Sequence, residues 1–257
     1  MRKYPAAVPL RVCVAGVTGW TGSAVAEAVK AADDLELVAG VSRSDPRSFS
    51  TVEEALDAVP ADVLVDYTHA EAVKGHVLAA LDRRVAVVIG SSGLSTADYA
   101  EIDTRARERG VGVIAAGNFS LSAALLLRFA AEAARQLASW EVIDYSGLGK
   151  PDAPSGTSRE LAERLDGIRS PSVAVPVDET LGAREARGAT VGTTQVHSLR
   201  LPSFSVSTEI VFGGEDERLS IRHDAGSTPA PYVAGTLLAI RAVPECVGVT
   251  RGLDQLL

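Results

Sequence analysis

Hydrophobic residues in the first part of the chain occur in short continuous runs separated by amphipathic segments. Five apolar runs have the length of buried strands, at 11–16, 35–41, 63–68, 85–89 and 112–116. Helical spacing marks segments between them, at 24–29, 71–81 and 96–109. Because continuous apolar strands that alternate with helices are covered on both faces, the pattern predicts an α/β fold with a doubly wound parallel sheet.

The pattern changes after residue 118. An alanine- and leucine-rich helix is predicted at 122–137, a strand at 140–145 and a helix at 157–166, and residues 167–192 lack clear periodicity. Alternating runs at 194–201, 206–212 and 218–223 then predict an antiparallel sheet with one exposed face, before a last helix at 231–242.

Composition limits the partners. The chain has 257 residues, of which 46% are hydrophobic and 5% aromatic, so alanine, valine, leucine and glycine must build most of the interior. Its formal net charge of −8, without a cluster of lysine and arginine, argues against nucleic acid or an anionic membrane as a partner. A small anionic ligand is compatible with it, because local fields decide such binding.

Cysteine and histidine usage argues against a disulfide framework and a metal site. Cys13 and Cys246 form no CxxC motif, and the four histidines lack metal-ligand spacing. Residues 1–5 do not resemble a secretion signal, and no stretch reaches the ~18 apolar residues of a membrane span. We expect a cytoplasmic protein.

A glycine-rich turn follows the first strand. Gly16, Gly19 and Gly22 have GxxGxxG spacing between a strand and a helix. Glycines there allow a tight turn and close backbone approach to a pyrophosphate, while the helix start supplies amide groups. The turn therefore predicts a dinucleotide site.

The end of the second strand indicates which dinucleotide. A free ribose 2′-hydroxyl would call for an acidic residue about 20 residues after the glycines, but Ser42, Arg43 and Ser44 stand there. Hydroxyls and a guanidinium suit a 2′-phosphate, so we predict a preference for NADPH, with NADH possible as an alternative cofactor. Polar residues also end later strands and predict a lined cleft. They are Thr68, Ser91, Ser92 and Asn118.

The segment from Lys150 to Thr157 predicts an anion site. Pro151 and Pro154 prevent a helix from beginning before Ser155, and Thr157 with Glu160 fits a capping box. Backbone amides of Ser155, Gly156 and Thr157 at a helix start favour a carboxylate, with Lys150 beside them as cation and proton donor.

Together these motifs resemble the dihydrodipicolinate reductase family, NAD(P)H-dependent enzymes of lysine biosynthesis that reduce a cyclic dicarboxylate imine. The resemblance covers nearly the whole chain. It rests on Gly16–Gly22, Asp66–Thr68, Gly90–Gly93, Asn118–Ser120, Lys150–Thr157, Val196–Ser198 and Ile221–His223. It implies a Rossmann domain at 1–118, a mixed-sheet substrate and oligomerisation domain at 119–228 that forms a homotetramer, and a C-terminal segment at 229–257 that returns to the first domain.

The resemblance also assigns site residues. The cofactor would contact Gly16, Val17, Thr18, Gly19, Trp20, Thr21, Ser42, Arg43, Ser44, Thr68, Gly90, Ser91, Ser92, Ala116, Gly117, Asn118 and Phe119. The substrate would contact Lys150, Ser155, Gly156 and Thr157.

Two departures stand out. The family carries a His-His pair where this chain has Ser146 and Gly147, and the basic residue expected within 227–231 is absent. Lys150 is the first candidate for the proton donor. Tyr145 and Asp144 are further catalytic candidates, although strand alternation puts them on opposite faces, so that only one can point inward.

Burying a carboxylate without its cation costs on the order of several kcal/mol, so the departures favour a substrate other than the usual dicarboxylate. We therefore expect reduction of a C=N bond, or a C=C bond, in another small molecule. Three alternatives stay open. They are the lysine-pathway reduction itself, reductive amination by an amine dehydrogenase, and a non-catalytic NADPH-binding protein.

Overall fold

A computed structural model describes residues 8–257, which form two compact units. One unit comprises the chain up to Ser120 together with Pro229–Leu257, and the other comprises Leu121–Thr228. The prediction that the chain begins without a secretion signal concerns residues 1–5, which lie outside the described part.

The elements follow one another in the order of the sequence. Those before Ser120 are β1 (Leu10–Ala15), α1 (Trp20–Ala31), β2 (Leu35–Val41), α2 (Val52–Ala58), β3 (Val63–Asp66), α3 (Ala70–Asp82), β4 (Ala86–Ile89), α4 (Thr96–Arg109) and β5 (Gly112–Ala115). The next are α5 (Leu121–Gln136), β6 (Ser139–Ser146), α6 (Gly156–Asp166), β7 (Ala189–Val191), β8 (Thr194–Arg200), β9 (Val206–Gly213) and β10 (Arg218–Asp224). The last are α7 (Ala230–Ala242) and β11 (Gly248–Arg251).

The first unit contains a six-stranded sheet in the order β11-β5-β4-β3-β1-β2, and its pairings are all parallel. Every residue of β3, β4 and β5 is buried, as a strand covered on both faces requires. This arrangement confirms the predicted doubly wound sheet. It places the ends of β1 and β3, which are adjacent, at the reversal of strand order where such sheets bind ligands.

The second unit contains a five-stranded sheet in the order β10-β9-β6-β8-β7. β6 pairs parallel with β8 and antiparallel with β9, so the sheet is mixed and the expectation of an antiparallel sheet was wrong for β8. Helices α5 and α6 pack on it over a core that includes Trp140, Leu161 and Phe212. Burial alternates along β6, which puts Asp144 and Ser146 on the buried face.

No helix within residues 8–257 is long and apolar enough to cross a membrane.

Candidate active site

In the turn after β1, the main chain of the glycines lies in close contact with the main chain of neighbouring segments. Gly16 has a φ of +80°, in the left-handed region, and a Cβ there would overlap the carbonyl oxygen of Tyr67. A Cβ on Gly22 would overlap the carbonyl oxygen of Gly16, so α1 also packs directly against the turn. Two of the three glycines in the motif are thus required by close contact. Residues with side chains could not form this cradle.

The start of α1 offers its amide groups to an anion. Gly19 is the N-cap, and among the described residues no side chain caps this helix. The first turn of α1, which lies within the described residues, contains no acidic side chain. Because the first amides of a helix have no partner within it, and the helix dipole is positive there, this end suits a pyrophosphate.

Three hydroxyl groups converge beside this turn. Thr18 Oγ1 lies 2.7 Å from Ser42 Oγ and 3.2 Å from Ser44 Oγ, and the two serine hydroxyls are 3.0 Å apart. Arg43 follows Ser42, and its guanidinium contacts His69 Nε2 at 3.3 Å. Thr18, a cofactor contact by the family resemblance, therefore lies beside Ser42 and Ser44, which were predicted for a ribose 2′-phosphate.

A buried carboxylate brings two further predicted residues together. Asp66, at the end of β3, is fully buried and accepts hydrogen bonds from Thr68 Oγ1 at 2.7 Å and from the Ser91 hydroxyl. His76 Nδ1 lies 2.7 Å from its other oxygen. Burial opposes ionisation of Asp66, but the hydrogen bonds from His76, Ser91 and Thr68 outweigh it and hold the pKa below its usual range.

The residues predicted around the nicotinamide follow β3, β4 and β5. Phe119 is buried, and its ring meets the ring of Tyr67 edge to face with centroids 6.1 Å apart. Asn118 Oδ1 accepts from the Ser120 amide at 2.8 Å. The other predicted cofactor residues lie in the loops after β1, β4 and β5 or at the start of α1, namely Val17, Trp20, Thr21, Gly90, Ser92, Ala116 and Gly117.

Lys150 belongs to the second unit, in a loop that we call the lysine loop (residues 147–155). Lys150 Nζ forms an ion pair with Asp152 Oδ1 at 2.8 Å. The N-cap of α6 is Ser155, whose hydroxyl accepts from the Ser158 amide. The expected capping box at Thr157 and Glu160 was therefore wrong, because the N-cap lies two residues earlier, at Ser155. Gly156 and Thr157 instead lie in its first turn.

Asp144 collects the hydrogen bonds of this region. It is fully buried and accepts from the Ser155 amide at 3.0 Å and from Ser158 Oγ at 3.2 Å. Arg200 donates to it at 2.8 Å. Burial opposes ionisation, but the bonds from Ser155 and Arg200 outweigh it and lower the pKa of Asp144. An ionised carboxyl group accepts hydrogen bonds and has no proton to give, so these contacts argue against Asp144 as the proton donor, and its catalytic role stays a prediction.

Tyr145 faces the other side of β6. Its hydroxyl donates to Glu209 Oε2 at 2.9 Å, and the guanidinium of Arg222 lies 4.6 Å from the centre of its ring. Burial and then Glu209 raise the pKa of Tyr145. Asp144 thus lies on the face of the sheet that packs against α6. Tyr145, the other catalytic candidate on β6, lies on the opposite face.

Of the two positions at which the resemblance implies histidines, one is buried and the other is partly buried. Ser146 is 1% exposed, and its hydroxyl donates to the carbonyl oxygen of Ser205 at 2.8 Å. A Cβ on Gly147 would lie 3.1 Å from the carbonyl oxygen of Phe204. Neither residue supplies a proton carrier in place of the missing imidazoles. The segment before β9 packs against both positions.

Arg200 was not predicted. It ends β8, and besides Asp144 its guanidinium donates to the carbonyl oxygen of Asp152 in the lysine loop at 2.6 Å. The only signal in the sequence is a basic residue at the end of a strand. Its partners are 48 and 56 residues away, a separation that local patterns do not report.

Comparison with known proteins identifies the family. Residues 10–119 match the family model described as "Dihydrodipicolinate reductase, N-terminus", and residues 122–257 match "Dihydrodipicolinate reductase, C-terminus". The chain belongs to the dihydrodipicolinate reductase family. Because these two matches cover both units, the family assignment does not depend on the glycine turn alone.

Relatives and a solved structure agree with this assignment. The chain is 36% identical over 249 residues to "4-hydroxy-tetrahydrodipicolinate reductase" of Mycobacterium sp. (strain KMS), covering 96% of this chain and 99% of that one. It is 37% identical to the protein of that name from Nocardia farcinica, covering 96% and 98%. The dipicolinate-bound dihydrodipicolinate reductase from Paenisporosarcina sp. TG-14 superposes with a TM-score of 0.81 at 27% identity, covering 97% and 100%.

Membership in the dihydrodipicolinate reductase family makes the chain an NAD(P)H-dependent oxidoreductase of the imine-reducing type. The glycine cradle before α1 and the three hydroxyls beside it fit such a cofactor. Among residues 8–257, no group of three or more His, Cys, Asp or Glu side chains is placed to hold a metal ion.

Proposed function

We propose that this chain reduces the C=N bond of a small cyclic imine that carries a carboxylate, with NAD(P)H as the reductant. The observation that carries the proposal is the lysine loop, in which the ammonium group of Lys150 precedes the first turn of α6. The contacts that hold this loop, at Asp152 and at the N-cap Ser155, all lie within the second unit. An ammonium group beside backbone amides suits the binding of a carboxylate and the protonation of a nitrogen.

The names of the relatives favour one substrate. Proteins 36% and 37% identical over 96% of the chain are called 4-hydroxy-tetrahydrodipicolinate reductase, which supports the same reduction here. This is the alternative to the changed substrate expected from the missing histidines, and we put it first. Identity at this level over almost the whole chain outweighs the loss of individual side chains as an argument.

The chain's own residues divide into two groups. The glycine turn, Ser42 and Arg43 would hold the phosphates and the adenosine ribose of the cofactor. When bound, NAD(P)H supplies the hydride that adds to the imine carbon. Lys150 would give a proton from Nζ to the nitrogen, and the amides of Gly156 and Thr157 would hold a substrate carboxylate. Those amides lie in the first turn of α6, at the positive end of the helix dipole.

A second candidate is the reduction of a different imine, with one carboxylate or none. It is favoured by Ser146 and Gly147, which stand where the family resemblance implies two histidines, so that neither imidazole is present. Without these groups, the anionic atoms they would contact lose their partners, and an unpaired buried charge is costly. An assay with 4-hydroxy-tetrahydrodipicolinate and with monocarboxylic cyclic imines separates the two candidates.

Substitution of Lys150 tests the proposed function. Lys150→Gln should lower kcat/KM by about 100-fold or more, the usual contribution of a positioned general acid, while the affinity for NADPH stays the same. Lys30→Gln is the matched control, because Lys30 pairs only with Glu27 on the surface of α1. Full activity of the Lys150 variant would remove lysine from the mechanism. Oxidation of NADPH that requires a ketone and ammonia would instead indicate an amine dehydrogenase. Tight binding of NADPH without any turnover would indicate a non-catalytic protein.

A further inference from the structure

One arginine ties the lysine loop to the sheet of the second unit. Arg200 is the last residue of β8, and its side chain is 18% exposed. Its NH2 group donates to Asp144 Oδ2 at 2.8 Å and to the carbonyl oxygen of Asp152 at 2.6 Å. Its NH1 group donates to the carbonyl oxygen of Leu199 at 2.9 Å. The guanidinium is therefore bound on one side to its own strand and on the other to the loop.

Asp144 extends the connection to the start of α6. The same oxygen that accepts from Arg200 also accepts from the Ser155 amide at 3.0 Å and from Ser198 Oγ at 3.1 Å. Its other oxygen accepts from Ser158 Oγ at 3.2 Å. The carboxylate is fully buried, so these bonds are shielded from competition by water.

The two connections act on the main chain between Lys150 and the start of α6. Arg200 holds the main chain at Asp152, and Asp144 holds the main chain at Ser155. The carboxylate of Asp152 in turn pairs with Lys150 Nζ at 2.8 Å. A chain of contacts thereby joins the lysine ammonium to the start of α6, and two of its members, Arg200 and Asp144, belong to the sheet and not to the loop.

We infer that Arg200, together with Asp144, is a positioning residue that sets the lysine ammonium and the α6 amides at the spacing required by a substrate carboxylate. The inference rests on the proposed function, in which the lysine loop binds that substrate. The positive charge of Arg200 is matched by Asp144, so its contribution is the geometry of the loop rather than an additional cation for the substrate. Arginine suits this task because its planar guanidinium presents several donors in fixed directions.

Lysine at position 200 keeps the charge but not the geometry. Arg200→Lys leaves Asp144 with a cation, which guards against the loss of folding that an unpaired buried carboxylate would cause. A single ammonium cannot reproduce the three bonds of the guanidinium, so the loop would lose at least one anchor. We expect KM for the imine to rise about tenfold with kcat changed less than about threefold, the cost of losing about one charge-assisted hydrogen bond in binding.

The control and a second readout separate positioning from mere stability. Arg187→Lys alters another arginine-carboxylate pair of the same unit, with Glu141 at 2.6 Å, and should leave KM unchanged. Calorimetric titration with pyridine-2,6-dicarboxylate in the presence of NADPH should show the same weakening for Arg200→Lys as KM does. Titration with NADPH alone should give equal affinities for all three proteins.

The outcomes are distinguishable. If Arg200→Lys lowers the melting temperature but binds the imine and the dicarboxylate as the wild type does, Arg200 is only structural and the inference fails. If the wild type itself neither reduces the imine nor binds the dicarboxylate, the proposed function fails first. A rise in KM that Arg200→Lys and Arg187→Lys share would also overturn the inference, because it would reflect a general weakening of the unit.

Discussion

The residues after β2 form the most specific part of the candidate cofactor site. The hydroxyls of Thr18, Ser42 and Ser44 lie within 3.2 Å of one another, and Arg43 stands between the two serines in sequence. The nearby carboxylate of Asp45 is paired with Arg47 at 3.1 Å, which reduces its repulsion of a phosphate. This cluster suits an anionic 2′-phosphate better than a ribose hydroxyl.

Arg43→Gln should therefore weaken NADPH binding much more than NADH binding. Loss of one hydrogen bond to a charged group costs about 1.5–3 kcal/mol, so the Kd for NADPH should rise by about tenfold or more. The Kd for NADH should stay within about twofold, since NADH has no 2′-phosphate for the guanidinium to contact in the wild type. Fluorescence titration with both cofactors measures this, with Arg83→Gln, which removes an arginine that pairs with Asp57, as the control. An equal loss for both cofactors would contradict a phosphate contact.

Asp66 makes a prediction about pH. Its folded pKa lies below the unfolded value of about 3.9, so its ionised form contributes stability that is fully present above that value and is lost as the pH falls through the folded pKa. Asp66→Asn should lower the free energy of unfolding by about 1–3 kcal/mol near neutral pH. The difference from the wild type should shrink below about pH 4.

Urea denaturation at a series of pH values measures the effect of Asp66. Asp33→Asn, at an exposed position, is the control for removing a carboxylate from the surface. A difference between wild type and Asp66→Asn that stays constant down to pH values well below 4 would show that the charge of Asp66 contributes nothing.

At the level of single residues, the sequence reveals those that belong to a local motif. Ser42 and Arg43 could be predicted because their distance from the glycine turn has a chemical meaning. Arg200 could not, since its two partners lie in β6 and in the lysine loop and the pairing exists only in the folded sheet. Asp144 was proposed from the sequence as a catalytic candidate, and in the folded chain it accepts hydrogen bonds from Ser155, Ser158 and Arg200.

Among the elements, the turn between β1 and α1 contains glycines that no other residue can replace without a shift of the backbone. Gly22→Ala would put a methyl group onto the carbonyl oxygen of Gly16, which is backbone and cannot rotate away. We expect a loss of about 1–3 kcal/mol in the free energy of unfolding and a weaker affinity for the dinucleotide, because α1 must move away from the turn.

A glycine elsewhere in the same unit provides the comparison. Gly75 lies in α3, and a Cβ there would meet nothing within 4 Å. Gly75→Ala should raise the free energy of unfolding by about 0.5–1 kcal/mol, the ordinary gain for a helix interior, and leave dinucleotide binding unchanged. Denaturant unfolding and calorimetry on both variants measure the contrast. Equal behaviour of the two variants would argue against a packed turn.

Most elements could be predicted because apolar periodicity is strong where a segment is buried. The helix at 96–109 and the strand at 35–41 have the predicted bounds, whereas α2, β7 and β11 were missed. β11 has four residues with only one buried, and it is defined by its pairing with β5 rather than by its own pattern. The start of α6 was misjudged because Ser155 and Thr157 are both good N-cap residues, and only the packed loop decides between them.

At the scale of the whole molecule, the described chain combines two units that differ in sheet type. The parallel sheet of the first carries the dinucleotide motif, and the mixed sheet of the second carries the lysine loop. Both are matched by models of one family, so the fold and the class of reaction could be inferred from sequence. The homotetramer, the cytoplasmic location and the domain boundaries at 118 and 228 remain predictions.

The changed substrate was inferred from two missing histidines and a missing basic residue, and the names of the relatives favour the lysine-pathway reduction over it. Ser146 and Gly147 are well accommodated, with a hydrogen bond to Ser205 and close packing against Phe204. A sequence pattern shows that a group is absent, but not whether another group of the folded chain takes over its task. That question depends on contacts such as those of Lys150 and Arg200.

The central claim is that this chain is an NAD(P)H-dependent imine reductase acting through the lysine loop. Its most direct test is the steady-state rate of NADPH oxidation by the purified wild-type protein with 4-hydroxy-tetrahydrodipicolinate. We predict a kcat/KM of at least about 10⁴ M⁻¹ s⁻¹, within the usual range for enzymes on their own substrates. Tight binding of NADPH without its oxidation, by this substrate or by any cyclic imine, would contradict the claim.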